Sequence, residues 1–295
     1  MFKGVTISEF HERFKTDSDC MDYLYELKWK DGYACRKCNH TESRTGNTSR
    51  DRRCLKCGYE ESVTAQTLFH KVKFSLHSAF YICYRVCIAK KGMSSTELSR
   101  ELGLRQMTCW SFKRKVQAAM TTSGLFKLTG DVEVDEFAVG GSDAGAPGRS
   151  KGDKKLVTII VERMEDDKVG RVYAHKINDY SATEIGSVLE KYVDKEHTSI
   201  TADCWSAYTS LSKEWDITQI KSNGGKNYEK LHYIIMNFKS WLRGIHHHCS
   251  EVHIQGYLNE FCYRMNRRIH LKTAFHKLID RMVKTKPFMI KDFAL

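Results

Sequence analysis

The strongest constraint in this sequence is a pair of CxxC units: Cys35 and Cys38, then, after fifteen intervening residues, Cys54 and Cys57, with Gly58 directly after them. Four thiolates offered by two tight turns meet tetrahedrally on one zinc ion at about 2.3 Å each, so the spacing predicts a zinc ribbon with one structural Zn2+. His40 lies close by, but four cysteines complete such a site and leave it a surface residue. Arg36, Lys37, Arg44, Arg50, Arg52, Arg53 and Lys56 crowd the same segment, which points to DNA phosphates as its partner. The competing reading is a ribbon that only holds a fold together or binds protein. The other cysteines, at 20, 83, 87, 109, 204, 249 and 262, are scattered and read as core or surface thiols.

Charge agrees with a polyanionic partner. Lysine and arginine total 48 against 36 acidic residues, a formal charge of +12 spread along all 295 residues. The opening MFKGVTISEFHERFK lacks an apolar stretch of signal-peptide length, and the apolar run 76–89 is interrupted by His77 and Arg85. No export and no membrane span are therefore expected, and reduced thiols and metal are expected rather than disulfides.

The chain reads as four segments: an N-terminal helix and zinc ribbon (1–62), a helical, helix-turn-helix-like module (63–122), an α/β catalytic domain (128–270) and a C-terminal helical tail (271–295). In the second, SSTELSRELGLRQMTCWSFKRKVQ puts Leu98 and Leu102 inside one helix, stops it at Gly103, and sets Thr108, Trp110, Lys113 and Arg114 on the next. A recognition helix reaches a major groove in that way, although a plain helical linker looks similar. In the third segment, strands are expected at 132–137, 156–163, 171–177, 199–203 and near 217–220. A Gly- and Ser-rich loop is expected at 140–155. Ser181 with Glu184 forms a capping-box signature for a helix over about 181–193, and a long helix follows from about 228 to 243. This element order predicts a ribonuclease H-like mixed five-stranded sheet with flanking helices.

Two-metal phosphoryl transfer needs acids converging from different elements on cations about 4 Å apart. Asp135 lies within the first strand and Asp203 ends the fourth, positions that such a sheet brings side by side. A third ligand is expected from the long helix. Residues 229, 232, 236, 239 and 243 share one stripe there, so Glu229, His232, Lys239 and Arg243 can face one site, while Asn237 points about 200° away from Lys239. A histidine ligand favours Mn2+ or Zn2+ over Mg2+, which prefers oxygen.

YLYELKWKDGYACRKC, TLFHKVKFSLHSAF, KKGMSSTELSRELGLRQMTCW, VEVDEFAVGG, ITADCWSAY and NFKSWLRGIHHHCSEVHIQGYLNEFCYRMNRR follow one another in this order. Over roughly residues 15–270 the chain thereby resembles the DDE-type bacterial insertion-sequence transposases with an N-terminal zinc ribbon, the group related to the eukaryotic Merlin transposons and carrying the ISXO2-like transposase domain. The resemblance implies movement of a DNA element through its terminal inverted repeats, catalytic Mg2+ or Mn2+ on Asp135 and Asp203, and a bacterial, cytoplasmic setting. It also implies a homodimer or higher assembly that pairs two DNA ends. Where many relatives place a glutamate seven residues before a lysine, this chain has His232 before Lys239; some relatives also lack that glutamate. His232 is the expected third ligand, with Glu229 and Asn237 as alternatives, and Lys239 corresponds to the family lysine, assigned to a DNA phosphate. The reading is a transposase that binds element ends and catalyses metal-dependent strand cleavage and strand transfer. Its rival is a DNA-binding regulator, or decayed transposase, without phosphoryl-transfer activity.

Overall fold

The computed structural model of the chain describes residues 1–122, 124, 126–140, 154–246 and 249–288, so most of the loop expected at 140–155 lies outside the described residues. The chain divides into two compact units, Met1–Met120 with Ile269–Leu295, and Thr121–Arg268.

The first unit begins with α1 (Ile7–Arg13) and α2 (Asp17–Lys28), each opened by a threonine capping box, Thr6 with Glu9 and Thr16 with Asp19. Both boxes satisfy backbone N–H groups that a helix start leaves without partners. The ribbon follows as an antiparallel ladder of β1 (Ser43–Thr45), β2 (Arg52–Cys54) and β3 (Glu60–Glu61). Next come α3 (Leu76–Ile88), α4 (Ser95–Leu102) and α5 (Gln106–Ala119). Ser94 caps α4, Gly103 ends it at φ +64, and a turn through Arg105 starts α5, which gives the expected helix-turn-helix arrangement. One part of that expectation is corrected. Lys113 and Arg114 are buried: the Lys113 ammonium donates to the Met93 carbonyl at 2.6 Å, and Arg114 donates to the Gln117 side chain at 2.8 Å. That face of α5 packs inward, so the groups left to solvent at the helix start are Arg105, Gln106 and Met107.

The C-terminal helix, α10 (Leu271–Lys284), does not stand apart as a tail. Phe275, fully buried, packs against Phe14 at 5.7 Å and Phe80 at 5.8 Å between ring centroids, inside the aromatic core of the first unit. Edge-to-face and tilted rings at such separations add to the area they bury.

The second unit is a five-stranded mixed sheet of ribonuclease H-like topology. Its strands are β4 (Leu128–Val139), β5 (Lys155–Met164), β6 (Lys168–Ile177), β7 (Val193–Ala202) and β8 (Ile217–Gln219), in the order β6-β5-β4-β7-β8. The first three run antiparallel in sequence, whereas β7 pairs parallel with both β4 and β8. One face is covered by α6 (Ala182–Tyr192), capped by Ser181, and α7 (Ser206–Leu211); the other by α8 (Glu229–Ile245) and α9 (Ile254–Met265).

Strand alternation decides what each face receives. Along β4, Val132 and Val134 join Ile185, Val188 and Leu189 in the core under α6. Phe137 and Val139 join Leu231, Ile234, Ile235 and Phe238 of α8 in the opposite core. Asp135, between Val134 and Phe137 in the alternation, therefore faces α8. β7 begins earlier than the strand expected at 199–203, because Val193 pairs with Leu128 and Thr198 with Gly130 of β4 across a register shift, and the residues between them, Lys195, Glu196 and His197 among them exposed, carry no apolar pattern.

Candidate functional site

β4 is the middle strand of the sheet and β7 its parallel neighbour, and their register sets Val134 opposite Ala202. The next residue on each is an aspartate, so Asp135, still within β4 and paired with Ile159, stands beside Asp203, the first residue past the end of β7. Val134, Asp135, Asp203, Ser222, Tyr228 and His232 line a cleft of about 40 Å³ there. Nε2 of His232, on α8, lies 3.4 Å from Oδ2 of Asp135. Sequence reasoning thus placed three residues that the fold brings together. Neither Glu229 nor Asn237 lines the cleft.

Lys239, two turns beyond His232 on α8, rests with its ammonium 5.4 Å from the centre of the Phe137 ring. Burial lowers its pKa, and the Asp135 charge opposes that shift. Tyr228 joins β7, β8 and α8: its hydroxyl sits 2.6 Å from the Ala202 carbonyl and 2.8 Å from that of Ile220. The hydroxyl has one proton to donate, so one carbonyl accepts it.

Glu133 was not singled out from sequence, although the two-residue spacing to Asp135 could have revealed it. It occupies the same face of β4 with a side chain 14% exposed, its Oε2 buried with no hydrogen-bond partner among the described residues, and Arg163 3.7 Å from its Oε1. Burial raises its carboxyl pKa, while Arg163 and His232 act in the opposite direction. Glu136 points to the other face, where the buried Tyr208 hydroxyl donates to it. Adjacent acids on one strand therefore have different environments: Asp135 borders the cleft and Glu136 braces the core.

In the ribbon, the ligand sulfur atoms of Cys35, Cys38, Cys54 and Cys57 all lie within 4.8 Å of one another. Each knuckle repeats one hydrogen-bond pattern. Cys35 N–H donates to the His40 carbonyl and Asn39 N–H to that of Cys35; Cys54 N–H donates to the Tyr59 carbonyl and Gly58 N–H to that of Cys54. Two equivalent turns thus present four thiols at a spacing that tetrahedral Zn2+ accepts. His40 contributes no ligand and lies 3.5 Å from Glu42.

Residues 127–266, which hold the whole sheet with α6 to α9, match the family model described as the ISXO2-like transposase domain, and residues 15–60 match the transposase zinc-ribbon domain. The chain thus carries an ISXO2-like transposase domain behind a transposase zinc ribbon, which together support a transposase. A comparison with curated proteins finds no match.

In this transposase the ribbon's cations divide into two groups. Arg36 pairs with Glu61 at 2.9 Å, Arg50 makes a two-pronged contact with Asp22, and Arg52 stacks over Tyr25 and Trp29 at 5.1 and 5.8 Å. These three serve the fold. Arg44 and Arg53 stand directly opposite each other across β1 and β2, on the face away from Arg52, and both are exposed, as are Lys37 and Lys56. Glu60 occupies the next place in that row, but its carboxylate accepts from the Asn47 N–H at 2.6 Å. Like charges directly opposite on a ladder disfavour the unliganded strand pair and favour an anion between them. Among the described residues no helix is long and apolar enough to cross a membrane.

Proposed function

We propose that this transposase binds the terminal repeats of its insertion element and carries out metal-dependent strand cleavage and strand transfer, in the cytoplasm of a bacterial cell. One observation carries the reading: the register that sets Asp135 beside Asp203, with His232 Nε2 3.4 Å from Asp135 Oδ2. Two carboxylates and an imidazole around one small cleft form a donor set suited to Mn2+ or Mg2+, with the nitrogen favouring Mn2+. Bound there, the metal would supply Lewis-acid activation of water, and then of a DNA 3′ hydroxyl, for in-line attack on a phosphodiester. Asp135 and Asp203 hold that charge from adjacent strands, which fixes its place relative to the sheet. His232 completes the donor set from α8, and Lys239 contacts a DNA phosphate beside the reacting bond. The helix-turn-helix and the ribbon hold element ends, and pairing two ends requires a homodimer or a higher assembly.

The choice of histidine gives a direct test. Cleavage of a labelled element end by the native protein is expected to run at least about tenfold faster in Mn2+ than in Mg2+, and His232→Glu should narrow that ratio by improving Mg2+ turnover. An unchanged ratio in His232→Glu removes His232 from the ligand set.

The ribbon is tested separately by salt. Arg44→Ala and Arg53→Ala should each flatten the slope of log K against log salt for end binding by about 0.9, the contribution of one neutralised phosphate. Arg52→Ala, which removes an internal stacking contact, should leave the slope in place and lower the melting temperature. Equal slopes in all three variants would remove the outward arginine pair from the DNA contact.

A further inference from the structure

His232 does not reach Asp135 by rotamer choice alone. The segment before α8 doubles back through Gly224 at φ +65 and Gly225 at φ +89. A Cβ placed on Gly225 would fall 2.4 Å from His232 Nδ1, closer than real Cβ atoms come to a neighbour, and 3.0 Å from its Cε1, a tight contact. A Cβ on Gly224 would meet nothing within 4 Å. The imidazole therefore turns its Nδ1 edge toward Gly225, the glycine of this turn that has no room for a side chain. The contact is steric, because the Gly225 N–H is committed to Ser222, 3.0 Å from its carbonyl and 3.1 Å from its hydroxyl. Tyr228 anchors the same turn to Ala202, the residue before Asp203, and its ring centre lies 6.4 Å from that of His232.

We propose that Gly225 is a positioning residue: its bare α-carbon is the seat that backs Nδ1 of His232 and so turns Nε2 toward Asp135 as the metal-binding atom. The inference rests on His232 being a ligand. A ligand's orientation is set by what its non-coordinating edge touches, and loss of such a partner lowers metal affinity about 10- to 100-fold. In most sites that partner is a hydrogen-bond acceptor; here it is a space that only glycine leaves open.

The two glycines provide the control. Both have positive φ, so alanine strains the backbone at either, but only at 225 does the new methyl group strike the imidazole. Mn2+ binding to the zinc-loaded full chain can be followed by electron paramagnetic resonance, with melting temperature and affinity for element-end DNA alongside. Gly225→Ala should weaken Mn2+ binding about 10- to 100-fold, while Gly224→Ala leaves it within about twofold with a similar fall in melting temperature. Both should bind DNA ends as the native protein does. His232→Ala should weaken Mn2+ binding too, and Gly225→Ala added to it should cost nothing more. If His232→Ala weakens Mn2+ but Gly225→Ala behaves as Gly224→Ala does, the seat is refuted and the ligand stands. If Gly225→Ala costs further affinity in the His232→Ala protein, it acts by general distortion and the seat is refuted again. Unchanged Mn2+ affinity in His232→Ala removes the ligand and the seat together.

Discussion

Asp135→Ala is expected to lower strand cleavage and joining at least ~10³-fold, on the order of 4 kcal/mol of barrier, while affinity for element-end DNA stays within about threefold. The asymmetry follows from position. The Asp135 side chain is 19% exposed and borders a cleft rather than a core, and the nearby Val134 and Phe137 carry the packing on the two faces. Removing one negative charge from a site built to receive a polyanion does not weaken the approach of DNA. Gel-shift titration and product analysis on the same preparation separate the two effects. Loss of end binding together with activity would make Asp135 a structural residue and remove it from the chemistry.

The second large effect concerns zinc. Around the four cysteines only Tyr33, Cys35 and Cys54 are buried in the local cluster, with Trp29, Cys38, Cys57 and Tyr59 partly buried against it. So few apolar groups cannot order residues 33–62 without the metal, and structural zinc contributes roughly 10–16 kcal/mol of apparent folding free energy in comparable small modules. Chelation, or Cys54→Ser, is expected to remove one zinc per chain and to abolish amide-exchange protection across the ribbon. Element-end affinity should then fall at least ~10²-fold as the Arg44–Arg53 face is lost, and Thr121–Arg268 should keep its protection. Hydrogen exchange with zinc analysis and a binding titration measure all three. Unaltered DNA affinity in a zinc-free protein would give the ribbon a purely structural or protein-binding role.

Much of this was legible because local chemistry speaks in short spacings. The CxxC pairs, the Ser181–Glu184 cap and the apolar runs of β5 and β6 each declare themselves within ten residues, and the structure realises them as knuckles, a capped helix and neighbouring strands. The sheet order then brought Asp135 to Asp203, which lie far apart in the chain. What escaped was set by partners distant in sequence. Lys113 and Arg114 look like groove-facing cations until the rest of the helical module covers them. Phe275 looks like part of an independent tail until it meets Phe14 and Phe80. The third position stayed open among His232, Glu229 and Asn237 because Glu229 shares the stripe of His232, and helical phase does not say which height along α8 meets the ends of the strands; the cleft lies at His232. Ile234, Ile235 and Phe238 in the core fix that phase and direct His232 to the cleft. The role of Gly225 has no signal in its own neighbourhood of sequence, since it depends on where the His232 ring comes to rest.

The most direct test of the central claim is strand cleavage and strand transfer by the purified native protein on a labelled fragment carrying the element's end, in Mg2+, in Mn2+ and in neither, with Asp203→Ala alongside. Nicked and joined products that need divalent metal and vanish in Asp203→Ala are the expected result. Tight, salt-sensitive binding with no cleavage in either metal would contradict it and identify the chain as a DNA-binding regulator built on a transposase fold.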